Sequence, residues 1–305
     1  MSRGGRALPS IVARAFAIVM AVLVACDQGR PPPPAPAGTA QDDELAYLPG
    51  ETDLVVRLDL PRLRASKLWP TYEGEVARLV IPFTVGCGYQ PLDEAASLVF
   101  GIQVAAAGPA RSVLRGIDRE KLRRCLLALY PAWSVTFEGD VTRVDGAGGA
   151  YALSFVDPTT LVMQGGRDAR KPVAIQIVRD APLARDAALS RVLHALPHAG
   201  VTLASRPGSA AVAESWKQLG VHLESLSGHL DLDTQLTLEV SLVLGTSDEA
   251  KQLTEVVGDQ LGSESFKSLF DRIGVTVHGE TSTLDLALGE DKLAKLVAMY
   301  ASLWR

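Results

Sequence analysis

Residues 54–59 read Leu-Val-Val-Arg-Leu-Asp, and Leu54, Val56 and Leu58 alternate with Val55 and Arg57 at the period of a β-strand. A helix is predicted next, with Pro61 in its first turn, where a missing N–H costs nothing, and Trp69-Pro70 at its end. Strand-like runs follow at 96–104 and 111–116. Asp118 then reads as an N-cap. Behind it Leu122, Cys125, Leu126 and Leu129 recur at the i, i+3, i+4, i+7 spacing of one buried helical stripe. Four short runs at 134–138, 141–145, 151–156 and 161–164 are bounded by Gly, Asp or Pro, the pattern of an antiparallel meander. A helix over 187–196 stops at Pro197, and 201–204 returns as a strand.

The last hundred residues are more regular. Leu226, Gly228, Leu230 and Leu232 alternate with polar residues, Asp233-Thr234 turns the chain, and Leu236 to Leu244 alternate again, which predicts a hairpin. Thr246 and Glu249 form a capping-box pattern, with Ala250, Leu253, Val257 and Leu261 as the stripe of the next helix. Val275 and Val277 are predicted to pair with Leu284, Leu286 and Leu288 across Gly279-Glu280. A final helix carries Leu293, Leu296, Val297, Tyr300 and Trp304 on one face. The order strand-strand-helix-strand-strand-helix predicts an α+β fold: antiparallel sheet with helices packed on one face, a two-layer sandwich. A looser copy of that order runs from Ala95 to Leu196, which leaves an internally duplicated unit open. The folded chain divides on this reading into 44–205 and 206–305.

The first 43 residues follow another pattern. Arg3, Arg6 and Arg14 precede the unbroken apolar run Ala15 to Ala25, and Leu23-Val24-Ala25-Cys26 reads as a lipobox. Residues 1–25 are then a signal peptide whose removal frees Cys26 for acylation. Eleven apolar residues cover about 16 Å at about 1.5 Å per residue, against about 30 Å of hydrocarbon, too short for a span. Lengthening the run would bury Arg14. The chain is expected to be held on the bilayer by the lipid on Cys26, facing the periplasm of a bacterial envelope. Asp27 resembles an inner-membrane retention signal but equally opens a polar linker, so inner and outer membrane both stay open. Pro31 to Pro34 and Pro36 stiffen residues 27–43 into a spacer reaching roughly 50 Å at about 3.1 Å per residue.

Composition adds exclusions. Cleavage after Ala25 removes three arginines and no acid, so the formal charge falls from −5 to −8, which disfavours nucleic acid as a partner. Of three cysteines, Cys26 goes to the lipid. Cys87 and Cys125 remain as one pair for an oxidising compartment, the alternative being two separate buried thiols. No asparagine occurs, in keeping with a GC-rich coding bias.

The run Leu48-Pro49-Gly50-Glu51-Thr52-Asp53-Leu54-Val55-Val56, the later Arg64-Ala65-Ser66-Lys67-Leu68-Trp69-Pro70, the Cys87-Gly88 turn, Arg124-Cys125 and the hairpin-helix-hairpin end resemble a group of uncharacterised lipoproteins of myxobacteria and related lineages. The likeness extends over nearly the whole folded region. It implies architecture and location, and no active site, since none is established for that group.

Candidate chemistry is sparse. GxSxG, GxxxxGK[ST], HExxH and CxxC patterns do not occur. Gly146-Ala147-Gly148-Gly149 lies between strand-like runs and reads as a hairpin turn, not a phosphate loop. His194 and His198 have i, i+4 spacing, but Pro197 ends the helix between them. His229 shares a strand face with Asp231 and Asp233, while His222 and His278 lie in other strand-like segments; a solvent-facing polar row is the ordinary explanation. Glu224, Asp231, Asp233 and Asp285 cannot be paired from sequence. Arg119, Lys121, Arg123 and Arg124 fall on the solvated side of their helix. Trp69, Trp133, Trp216 and Trp304 could stack ligands, but Trp304 falls on a helical stripe and Trp69 at a helix end, where packing is the default. No catalytic, metal or cofactor residue is assigned. The expected function is a non-catalytic module binding a protein or small molecule in the envelope, with an envelope hydrolase as the alternative.

Overall fold

The computed structural model describes residues 44–74, 81, 87–104, 111–129, 133–146, 149–166, 183, 186–217, 220–261 and 268–295. The signal, Cys26, the proline-rich spacer and the helical stripe from Leu296 onward lie outside them. The strands are β1 (Leu54–Asp59), β2 (Ser97–Ile102), β3 (Arg111–Arg115), β4 (Ser134–Glu138), β5 (Val141–Gly146), β6 (Gly149–Phe155), β7 (Thr160–Gly166), β8 (Val201–Ser205), β9 (Leu223–Leu232), β10 (Gln235–Leu244), β11 (Arg272–His278) and β12 (Thr281–Gly289). Helices are α1 (Leu60–Arg64), α2 (Pro91–Glu94), α3 (Arg119–Leu129), α4 (Ala187–Ala195), α5 (Ala210–Trp216) and α6 (Ser247–Leu261), and residues 290–295 are also helical. Among the described residues no helix is long and apolar enough to cross a membrane.

Among the described residues twelve strands join one sheet in the order β11-β12-β10-β9-β8-β1-β2-β3-β7-β6-β5-β4. Every neighbouring pair is antiparallel. Strand alternation puts one apolar row after another on the same side. Leu58 sits opposite Leu98 and Val201, Leu230 opposite Val201 and Leu238, and Leu238 opposite Leu286. These leucines and valines belong to one buried cluster that runs the width of the sheet. Each buried leucine there contributes roughly 1.5–3 kcal/mol, so a slip of one residue in register, which would turn a strand's whole apolar set to the other side, is strongly disfavoured.

The α+β class and the antiparallel sheet match the expectation from sequence, but the helices divide between two faces. Leu122 and Leu126 of α3 join the sheet-wide apolar cluster, and α6 packs Ala250 and Leu253 beside Leu242 and Leu244. On the opposite face α4 sets Leu189, Val192 and Leu193, together with Leu45 and Leu48, against Val55, Val99, Val113, Val162 and Ala204. The cause is local: the strands at the middle of the sheet carry valines or alanine where the outer strands carry polar residues, so they are buried on both sides and need a second cover.

Two connections follow the same route. The hairpin β2-β3 leads through α3 to a meander whose last strand, β7, lies beside β3. The hairpin β9-β10 leads through α6 to a hairpin whose last strand, β12, lies beside β10. Between them β8 pairs with both β1 and β9, so the sheet is continuous across residue 205. Asp53, nearly buried, ties the start of β1 to this junction: its Oδ1 accepts from Ser209 Oγ at 2.6 Å and its Oδ2 from the Val104 amide at 3.0 Å.

Local signals hold where they are strong. Asp118 Oδ1 accepts from the Lys121 amide at 2.8 Å, and Thr246 Oγ1 from the Glu249 amide at 3.2 Å. A disulfide joins Cys87 to Cys125 with the Cα atoms 5.1 Å apart. Gly146 pairs with Gly149 at the end of the β5-β6 ladder; residues 147 and 148 lie outside the described set.

Candidate functional site

Alternation in β1 sends Val55, Arg57 and Asp59 to the face that α4 covers. α4 starts there because Asp186 caps it, with Oδ1 accepting from the Ala188 and Leu189 amides at 3.0 Å each. Between the helix, the turn at 44–48 and the sheet lies a cavity of about 100 Å³. Leu45, Val55, Val99, Leu193 and Leu196 supply apolar wall; Glu44, Arg57, Asp59, Ser190, His194 and His198 supply the polar groups.

Glu44 is only 1% exposed. Its Oε1 accepts from Ser97 Oγ and lies 3.3 Å from Arg115 Nε, and its Oε2 lies 3.6 Å from Arg57 Nε. A buried carboxylate is tolerated when cations and donors surround it in this way. Asp59 caps α1 through the Arg62 amide at 3.0 Å and meets His198 Nε2 at 3.3 Å.

His194 and His198, four apart in sequence, both line this cavity but do not act as a pair. His194 ends the last turn of α4, Pro197 lies beyond the helix, and His198 turns to Asp59. Ser190 Oγ is 3.3 Å from His194 Nδ1, one turn along the same helix. That contact is the Ser-His proximity a hydrolase would use. However, the Ser190 amide donates to Asp186 O at 2.9 Å within the helix. It cannot also point at an oxyanion. A strand-to-helix elbow, which frees the nucleophile's neighbouring amides, is not the geometry of a mid-helix serine.

The other sequence candidates separate. Asp231 is held by Arg62, Nε to Oδ1 at 2.8 Å, and by the Gly200 amide at 2.9 Å. Burial works to raise its pKa, but the Arg62 and Gly200 hydrogen bonds outweigh it and hold the carboxyl below its ordinary value. Asp285 pairs with Arg272 at 2.8 Å, and Glu224 with His222 at 3.2 Å. Asp233 sits in the exposed turn between β9 and β10, and His278 is exposed at the end of β11. Trp69 is buried core, while Trp133 and Trp216 are packed against core clusters; Trp304 lies outside the described residues. The basic run stays on the outer side of α3, where Lys121 pairs with Glu94 and the Arg119 and Arg123 guanidinium groups lie 5.8 and 5.4 Å from the Phe155 and Phe137 ring centroids. Among the described residues no group of three or more His, Cys, Asp or Glu side chains is placed to hold a metal ion.

A second polar surface comes from strand pairing, which sets His229 in a row across strands that the sequence did not indicate. The face that is roofed over β1, β2, β3 and β7 is not roofed to the same degree over β9, β10, β12 and β11. Ser227, Ser241, Thr283 and Thr276 form one row across those four strands, with a 3.2 Å bond between the Ser241 and Thr283 hydroxyls. His229, Glu239 and Asp285 form the next. These side chains are half-buried or exposed, in contrast to the buried Val55, Val99, Val113 and Val162 on the same side.

No family model and no curated protein matches this chain. Among solved structures, crystal form I of TP0453 superposes with a TM-score of 0.51 at 12% identity, covering 85% of this chain and 98% of that one. Crystal form III of TP0453 gives 0.49 at 12% identity, over 86% and 100%. The likeness is one of fold.

Proposed function

We propose that this protein is a lipid-anchored envelope protein that works by binding, its folded body held off the bilayer by acylated Cys26 and the proline-rich spacer. The observation that carries this reading is the polar face of β9, β10, β12 and β11, half-buried to exposed beside a closely roofed centre. Short hydroxyl side chains interspersed with His229, Glu239 and Asp285 offer donors and acceptors at little cost in side-chain entropy. The cavity under α4 supports the same reading. Drug-sized ligands occupy roughly 300–1,000 Å³, well above its volume, and its charged groups Glu44 and Asp59 are engaged by Arg57, Arg115 and His198. The repeated hairpin-helix route further supports a duplicated hairpin-helix unit, with α3 and α6 on the same apolar side of the sheet.

The alternative, an envelope hydrolase, rests on the Ser190–His194 contact. One experiment separates the two. A photo-cross-linking residue at Ser241 in the full chain, expressed in cells, is expected to give a discrete adduct, and the same residue at Phe137 is not. In parallel, turnover of an ester panel is expected to be unchanged in Ser190→Ala. Absence of an adduct at 241, together with turnover that Ser190→Ala abolishes, overturns the binding reading in favour of catalysis.

A further inference from the structure

The two edges of the sheet differ in how they are guarded. β4 has five residues, ends in Glu138, which is bonded to Arg143 at 2.9 Å, and its exposed Phe137 lies 5.4 Å under the Arg123 guanidinium. Charge, shortness and a covering cation are the devices that keep an edge strand from pairing. β11 has seven residues, Arg-Ile-Gly-Val-Thr-Val-His, with no lysine, proline or acid. It runs in unbroken register along β12, without a bulge. Val277, near its end, is 39% exposed. Alternate N–H and C=O groups of such an edge point away from the sheet and need partners.

The sequence of β11 also specifies what that partner can be. In an antiparallel pair centred on Val275, Ile273 of one strand falls opposite Val277 of the other, Gly274 opposite Thr276, and Arg272 opposite His278. Ile273, Val275 and Val277 lie on one side of the strand, opposite Leu286, Leu284 and Ser282 in turn. Ile273 would therefore meet Val277 and Val275 its own counterpart, Thr276 would lie over Gly274, which offers no side chain to clash with it, and Arg272 would meet His278. No two like charges are forced together: Arg272 is already neutralised by Asp285 at 2.8 Å and would face an imidazole. A strand whose two faces read the same in both directions suits an isologous two-fold interface.

We propose that β11 pairs with β11 of a second copy of this chain, joining two twelve-stranded sheets edge to edge. The polar faces of the two copies then form one continuous surface, and Val277 is buried against its symmetry mate's Ile273. Pairing of one strand buries less than a standard interface, so the contact is weak in dilute solution and strengthened where both copies share a membrane.

Thr276→Cys tests this in the full chain with a short bis-maleimide. Across the proposed dyad the two positions are diagonal neighbours about 7–8 Å apart, and wild-type protein treated alike is the blank. A covalent dimer is expected from Thr276→Cys and not from Thr136→Cys on β4. Adding Val277→Lys, at an exposed position where the fold tolerates it, is expected to lower the yield at least tenfold with an unchanged circular dichroism spectrum. Three results each overturn the proposal: no dimer from Thr276→Cys, a dimer indifferent to Val277→Lys, or cross-linking that requires Thr136→Cys and Thr276→Cys together, which would mean head-to-tail association.

Discussion

Replacing Cys87 with serine opens a loop of 38 residues that the disulfide to Cys125 otherwise closes. In the chain-entropy description a closed loop of that length lowers the entropy of the unfolded chain enough to stabilise the fold by about 4 kcal/mol at 25 °C. The two ends of the bridge are not equivalent. Cys125 is buried beside Leu122 and Leu126, whereas Cys87 is half-buried in a turn before β2. Cys125→Ser is therefore expected to cost the same 4 kcal/mol or so plus about 1–3 kcal/mol for a hydroxyl in an apolar site, and Cys87→Ser close to the loop term alone. Urea unfolding of oxidised protein, followed by circular dichroism, measures both. With a slope of about 2–3 kcal/mol per molar, the loop term moves the midpoint by about 1–2 M. Reductant should shift wild type by the same amount and leave Cys87→Ser where it is. Equal shifts in wild type and Cys87→Ser, or two reactive thiols in unreduced wild type, would show that the bridge does not supply this stability.

Burial first, and then the hydrogen bond and charge of Asp93, push the Glu73 carboxyl up to about 7 from 4.5. The folded state therefore keeps a proton that the unfolded state releases between those values, so this group's contribution to stability falls as pH rises through that window. Glu73→Gln should flatten the decline in unfolding free energy between about pH 5 and 7, and an unchanged slope would rule Glu73 out as its source. Gly228 faces the apolar side of β9, where a Cβ would lie 2.6 Å from Glu239 O. Gly228→Ala is expected to lower stability by about 1–3 kcal/mol through forced displacement of β10; thermal unfolding at the wild-type temperature would contradict that.

Much of the fold could be read from the sequence because its strongest signals are local. Asp118, Thr246 and the alternation from Leu226 to Leu244 each specify an element through neighbours in sequence, and each element is present. The short helices α2 and α5 carry too few turns for a visible stripe, although Ser209 caps α5. Placement of α4 escaped for a different reason. Val55 and Val99 look like ordinary strand residues, and only the long-range order β8-β1-β2-β3-β7 shows that these central strands are buried on both sides. Glu44 carries no sequence signal at all. Its partners Arg57, Ser97 and Arg115 come from three strands, brought together by sheet pairing. The histidines show the opposite case: the i, i+4 spacing of His194 and His198 was plain, and the helix end before Pro197 separated their roles as the proline implied.

The claim on which the functional reading rests is attachment outside the cytoplasm through Cys26. Intact-mass analysis of the protein isolated from cells tests it most directly. The expected species is a chain beginning at residue 26, heavier than its sequence by a diacylglyceryl group with or without a further acyl chain, and lighter by the two hydrogens of the Cys87–Cys125 bridge. A chain that retains residues 1–25, or one that begins elsewhere and carries Cys26 without lipid, would contradict it.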